Sequence, residues 1–157
     1  NNQVSHVFGI IGLGRFGTAL AETLAENGQE VLALDNCENK VRDIQDKVQQ
    51  ALVAPILDKA TLKEAGIQNC GTVIVCIGEN VEASILTTLN VIELEVPRVI
   101  AKAVSAEAAR RGLILLTCGT YGNVLRILVP LTASDALLDE GLAILADSLE
   151  AVATAAN

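Results

Sequence analysis

Residues 7–17 read VFGIIGLGRFG, and the helix-like run TALAETL follows them directly. The apolar start predicts a buried strand, and each glycine of the G-x-G-x-x-G pattern suits a separate task in a strand–turn–helix unit. Gly12 permits the tight turn, Gly14 lets the backbone approach a pyrophosphate, and Gly17 lets the helix pack closely on the strand. The phosphates would then lie at the positive end of the helix, against free N–H groups.

A second apolar run favours the same interpretation. Residues 31–34 read VLAL and are followed by Asp35, about 20 residues beyond the glycine turn, which is the spacing of a ribose-binding acid. A carboxylate at this point accepts hydrogen bonds from ribose hydroxyls and repels a 2′-phosphate, so it disfavours NADP. The alternative is a glycine turn that serves packing only, with Asp35 solvated at a strand end. Strand, turn, helix and acid together favour nucleotide binding.

Composition narrows the class of protein. The chain has 157 residues, enough for one domain with a sizeable core, and 51% of them are hydrophobic. Only three residues are aromatic, so the core must consist of Val, Ile, Leu and Ala, which suits parallel strands flanked by helices. The net charge of -8 and the scarcity of aromatic rings argue against a nucleic-acid partner.

Cysteine usage and hydropathy bear on the compartment. The four cysteines form no C-x-x-C pair and His6 is the only histidine, so we expect reduced thiols and no metal site. The apolar runs are shorter than the ~20 residues of a membrane span, and the first residues do not read as a signal peptide. These features predict a cytoplasmic protein. The chain contains no methionine, so we expect an excised fragment or a processed chain.

Strand-like and helix-like segments alternate along the chain. This alternation predicts an α/β fold: a Rossmann-like, doubly wound, mainly parallel sheet with helices on both faces. Predicted strands cover residues 7–11, 30–35, 51–55, 72–76 and 98–103, and predicted helices cover residues 15–27, 38–49, 59–65 and 80–94. Beyond Ser105 the pattern is looser: residues 106–111 suit a helix, residues 113–116 suit a strand or a buried helical turn, and residues 134–152 suit a helix.

Several motifs resemble one family. The turn IGLGRFG at residues 11–17 is similar to the first turn of RCK/KTN domains of the TrkA-N type, which are nucleotide-binding regulatory domains of potassium transporters and channels. The strand GQEVLALD at residues 28–35 and the segments KEAGI at 63–67 and VPRVIAKA at 96–103 also resemble that family. The likeness is closest in VIVCIGENVEASILTTL, residues 73–89, and in all it covers residues 7–104.

The chain departs from the family's pattern at two places. After the third strand, a small polar motif of the family is replaced by the sequence APILD at residues 54–58, which leaves backbone and apolar contacts on the adenine side. After Ser105 only YGNVL at residues 121–125 resembles the family, and its Gly-Ala-Asp and Pro-Glu motifs are missing. The family's smaller C-terminal regulatory domain is absent as well, so we expect residues 1–157 to form a single RCK N-terminal domain.

The resemblance and the fold together predict the residues around a bound nucleotide. Arg15 is expected to contact phosphates, a terminal phosphate included, and its alternative is a solvated surface residue. Lys102 is expected near the phosphates, or as an edge charge in solvent, and Asn80 suits capping of the fourth helix as well as ligand binding. Packing is the alternative for Phe16 and for residues 54–56. The other predicted contacts are Gly12, Leu13, Gly14, Asp35, Asn36, Ala54, Pro55, Ile56, Ile77 and Gly78.

Two functions remain open on the sequence, beside a scaffold that dimerises without binding a ligand. The resemblance implies a regulatory module at the inner face of the cell membrane: binding of ATP/ADP or NAD(H) would shift a homodimer, assembled into a ring, and a membrane-embedded potassium-transport subunit would respond. The alternative is an NAD-dependent oxidoreductase. Hydride transfer needs a positioned acid or base, yet His6 precedes the first strand and only Lys102 lies on the correct side. We therefore expect no enzymatic activity.

Overall fold

The computed structural model describes residues 6–77, 80–96, 100–118, 124–127 and 132–155, and within these ranges six strands and six α-helices form an α/β fold. The strands are β1 (Phe8–Ile11), β2 (Val31–Asp35), β3 (Gln50–Val53), β4 (Thr72–Val75), β5 (Leu116–Cys118) and β6 (Val124–Arg126). The helices are α1 (Arg15–Glu26), α2 (Glu38–Ile44), α3 (Lys59–Glu64), α4 (Val81–Glu93), α5 (Ile100–Arg110) and α6 (Asp135–Ala155).

The strands form one sheet in the order β3-β2-β1-β4-β6-β5. Every neighbouring pair is parallel except β5 with β6, which is antiparallel. The central strand β1 pairs on both sides, with Ile10 opposite Ala33 of β2 and Ile74 of β4. The strand order reverses at β1, so a crevice opens at the carboxyl ends of β1, β2 and β4, where doubly wound sheets bind ligands. The predicted mainly parallel α/β fold is confirmed.

Two cores hold the fold together, one on each face of the sheet. Ile10 and Ile74 pack on the face that α1, α2, α5 and α6 cover, whereas Ile11 and Val75 pack on the face that α3 and α4 cover. Strands covered on both faces are apolar without alternation, which explains the run FGII of β1, whose residues are all buried.

One predicted strand is wrong. The sequence predicts a strand over residues 98–103, whereas Ile100–Arg110 forms helix α5, and residues 97–99 lie outside the described ranges. The segment IAKAV fits an alternating strand by itself, but Val104 and Ala108 are four residues apart and both buried, which is helical spacing. The position beside β4 belongs to β6 instead. Lys102 therefore lies on a helix and not at a strand end.

Other boundaries differ by smaller amounts. Helix α2 ends at Ile44 and not near residue 49, because a turn follows in which the N–H of Lys47 donates to the carbonyl of Ile44, at 2.9 Å. The undecided segment over residues 113–116 leads into the edge strand β5. The predicted C-terminal helix is confirmed as α6. None of the described helices combines the length and the apolar character that crossing a membrane requires.

Candidate nucleotide-binding cleft

The connection from β1 to α1 is shaped by its glycines. Gly12 has φ +102°, a backbone conformation that favours glycine, and a Cβ there would also lie only 2.9 Å from the carbonyl oxygen of Cys76. Both the conformation and the space therefore exclude a side chain. Gly14 is the N-cap of α1, and a Cβ there would meet nothing within 4 Å, so its Cα faces open space. No side chain caps α1 and its first turn holds no acid. The N–H groups at this helix end are therefore available to an anion.

Asp35 fixes the glycine turn against the end of β2. Its side chain is 6% exposed, one oxygen accepts a hydrogen bond from the N–H of Leu13 at 2.6 Å, and the other accepts from the N–H of Cys37 at 2.8 Å. Each carboxylate oxygen keeps a further lone pair, so a ribose hydroxyl can still donate to it. The sequence predicted only the ribose contact; the structure adds a scaffolding role that no sequence pattern signals.

A cleft of about 230 Å³ opens at the carboxyl ends of β1, β2 and β4. Six residues predicted from the sequence meet there: Gly12, Gly14, Asp35, Asn36, Ile77 and Asn80. Asn80 also caps α4, because its side-chain oxygen accepts from the N–H of Ala83 at 2.9 Å. The predicted capping role is confirmed, and Asn80 also lines the cleft, so its predicted ligand contact stays a prediction.

The other predicted contacts lie elsewhere. Leu13 and Phe16 pack in the core beneath α1, and Ala54 is buried in the core of the opposite face. Pro55 and Ile56 are exposed and do not line the cleft. Gly78 and the side chain of Lys102 lie outside the described residues. Arg15 begins α1 beside the cleft, where its guanidinium pairs with Asp135 at 2.9 Å.

Four residues of the lining were not predicted: Lys40, Leu57, Cys76 and Ala83. Lys40 on α2 is exposed and has no ion pair within the described part of the chain, so its charge can face a phosphate. Lys40 lies in the first turn of α2, the helix that follows β2, and this position is the signal that could have identified it. Burial raises the pKa of the Cys76 thiol to about 12, so that sulfur stays a neutral thiol.

The described lining of the cleft suits the binding of an anionic ligand. Among the described residues of the lining, the ionisable side chains are Asp35, Lys40 and Cys76. Two backbone N–H groups donate to the carboxylate, and the thiol does not ionise near neutral pH. His6 precedes β1, at the opposite edge of the sheet. Among the described residues, no group of His, Cys, Asp and Glu could hold a metal ion. The arrangement offers a helix N-terminus, a ribose acceptor and a cation to an anionic ligand.

Sheet order, glycine turn and acid at the end of β2 define a Rossmann-type domain. Comparison with known proteins adds the family: residues 8–112 match the TrkA-N domain, and the chain belongs to this family. The Ktr system potassium uptake protein C of Bacillus subtilis is 45% identical over 96 residues, which are 61% of this chain and 43% of that protein. The Ktr system potassium uptake protein A of the same organism is 43% identical over the same shares. The chain thus spans less than half the length of these relatives.

A shorter match is to an enzyme. The 5-aminovalerate aminotransferase DavT of Pseudomonas putida is 68% identical over 50 residues, which are 32% of this chain but only 12% of that enzyme. So small a share of an enzyme carries no conclusion about activity. The two Ktr system proteins, which match over 61% of this chain, are potassium uptake proteins.

Proposed function

We propose that this chain is a nucleotide-binding regulatory domain that controls a potassium uptake system through ligand-dependent conformational change. The observation that carries the proposal is the open N-terminus of α1, whose uncapped N–H groups face a cleft lined by Asp35. Phosphates suit the helix end and a ribose suits the acid, so one ligand can occupy both. The ligand class is ATP/ADP or NAD(H), because Asp35 accepts from a free 2′-hydroxyl and repels a 2′-phosphate.

The partner in this proposal is a membrane-embedded potassium-transport subunit, and the domain works at the cytoplasmic face of the membrane. The likeness to two Ktr system proteins supports the first part. The proposal treats residues 1–157 as one domain, which is supported by a single sheet that includes β6 and by the packing of α6 on α1. A ligand can regulate the partner only if it binds two arrangements of the domain with different affinity.

Isothermal titration with ATP, ADP, NAD⁺ and NADH tests the binding step. We expect micromolar affinity for at least one of them. Replacing Arg15 by alanine should weaken ATP about threefold to tenfold and ADP less, because a charged contact to an exposed phosphate is worth roughly 1 kcal/mol. Tight binding of NADH alone, unchanged in Arg15→Ala, would favour a redox ligand and remove the phosphate-reading role of Arg15. No binding by any of the four would refute the proposed site.

A transport measurement tests the regulatory step. The chain is co-expressed with a Ktr-type membrane subunit in cells without other potassium uptake, and rubidium uptake is followed. We expect uptake to depend on the chain and to change when the cleft is blocked by Gly14→Ala. Equal uptake with and without the chain would contradict the regulatory role while leaving nucleotide binding in place.

Self-association is part of the proposal and is supported by α4, which buries polar side chains and exposes apolar ones. Its buried side includes the polar residues Ser84, Thr87 and Thr88, whereas Leu86 and Leu89 are 54% and 50% exposed. Ile85 is also exposed, and Leu89 lies four positions after Ile85 and three after Leu86, so the three side chains adjoin on one side of the helix. An apolar face of this kind on a soluble fold is typical of an interface between protein chains.

The double variant Leu86→Glu/Leu89→Glu is expected to convert a homodimer or larger ring into monomers. Two buried charges per protomer at a symmetric interface have no partners, and each costs several kcal/mol. Sedimentation velocity measures the mass, and Ile114→Glu is the matched control because it places the same charge at an exposed apolar residue that is not part of α4. A monomeric starting protein, or an unchanged oligomer in the double variant, would show that this face is not the interface.

A further inference from the structure

The position of helix α6 is set by its buried stripe. Leu142, Leu145 and Leu149 recur every three or four residues and pack with α1 in one core, and Leu138, one turn earlier, is also buried. Asp135 is the first residue of α6 and continues this stripe by one step of three. The helix is capped there, because the N–H of Leu137 donates to the hydroxyl oxygen of Ser134 at 3.3 Å. Packing therefore delivers Asp135 to the N-terminal end of α1.

At that end Asp135 meets the cation of the glycine turn. The Nη1 atom of Arg15 lies 2.9 Å from Oδ1 of Asp135, and the two side chains are 62% and 83% exposed. Both residues begin helices, so the positive ends of α1 and α6 approach one another around this pair. An acid is favourable at a helix N-terminus and an arginine is not. The carboxylate of Asp135 therefore offsets the positive charge of Arg15 as well as the positive helix ends. Among the described residues, Asp135 is the ion-pair partner of Arg15.

We propose that Asp135 is a specificity-determining residue of the nucleotide site, and that it lowers the preference for a terminal phosphate by holding Arg15. The inference rests on the proposed function. A terminal phosphate must either displace Asp135 from the guanidinium of Arg15 or share the guanidinium with it. In both cases the phosphate lies close to the carboxylate, which repels it. NAD(H) and ADP bring less negative charge to this point than ATP, so Asp135 lowers their binding affinity less. Asp135 lies beyond residue 112, where the match to the TrkA-N domain ends, so the restraint comes from outside the matched region.

Isothermal titration of the Asp135→Asn variant tests this role. The ATP affinity should rise about threefold to tenfold, the ADP affinity about twofold, and the NAD(H) affinity less, because the substitution removes one exposed ion pair and one like charge near the phosphate, and exposed charges interact weakly. The matched control is Asp139→Asn, which removes the same charge from an exposed site one turn further along α6. Most of the gain should disappear in Arg15→Ala/Asp135→Asn. It should also shrink in ~1 M salt, where the Debye length is about 3 Å.

The outcomes separate the two proposals. Nucleotide binding with the same ATP-to-ADP ratio in Asp135→Asn and Asp139→Asn would overturn the role of Asp135 and leave the proposed function intact. A gain that survives both the loss of Arg15 and high salt would overturn it too, because the effect would then be structural. No binding of any nucleotide by any variant overturns both proposals together.

Discussion

Replacing Gly17 by alanine is expected to prevent stable folding. A Cβ at this position would lie 1.8 Å from the carbonyl oxygen of Gly12 and 3.2 Å from the Cβ of Cys76. The first atom belongs to the backbone of the glycine turn and cannot move aside as a flexible side chain would. Separation of α1 from β1 is the only relief, and it opens a core that contains Leu20 and Leu24. We expect a loss on the order of 4 kcal/mol or more, a large part of a domain's stability.

Urea unfolding followed by circular dichroism measures this effect, and Gly14→Ala is the matched comparison. Its added methyl group meets nothing within 4 Å and the backbone there has φ -74°, which alanine adopts freely. Its stability should change by about 1 kcal/mol or less, the usual scale of an N-cap substitution. Its nucleotide affinity should nevertheless fall at least about tenfold, because the methyl group stands where a pyrophosphate approaches the backbone. Similar unfolding midpoints for the two variants would contradict the close-approach argument.

The first two-thirds of the fold could be predicted because each signal there is local. The run before Gly12 and the run before Asp35 are strand-like, glycine or asparagine follows α1 and α3, and the spacing matches a βαβ unit. The neighbour of β4 could not be predicted in the same way. Strand β6 pairs with β4 across about 50 residues of chain, and β5 pairs with β6 in the antiparallel sense. Three-residue strands carry too little pattern for a period to be read.

The same part of the chain is where the family likeness stops. The match to the TrkA-N domain ends at residue 112, so β5, β6 and α6 lie beyond it.

The site was partly predictable for a related reason. Residues that follow strands β1, β2 and β4 line the cleft because the sheet brings strand ends together, and this rule gave Gly12, Asp35, Ile77 and Asn80. Contacts made across the fold have no such rule. The partner of Arg15 lies 120 residues away on α6, and nothing near either residue indicates that they meet.

Replacing Asp35 by alanine should cost both stability and ligand. The substitution removes the acceptor of two backbone N–H groups, those of Leu13 and Cys37. Each donor left without a partner costs about 1–3 kcal/mol. We therefore expect a loss of about 2–6 kcal/mol without any nucleotide present, measured by urea unfolding. Asp46→Ala, at an exposed turn, makes the same chemical change and should alter stability by less than about 0.5 kcal/mol.

Amide exchange separates the scaffolding role of Asp35 from its ribose contact. The amide of Leu13 should exchange slowly in the wild-type protein and much faster in Asp35→Ala, because its only acceptor in the glycine turn is gone. Asp35→Asn keeps one oxygen but turns an NH₂ group toward one of the two donors, so it should fall between the other two in both stability and exchange. If Asp35→Ala matched Asp46→Ala in stability while losing nucleotide, the carboxylate would serve the ligand alone. Loss of both instead means that one carboxylate builds the glycine turn and then offers its remaining lone pairs to the ribose, so the site cannot lose its acid and keep its shape.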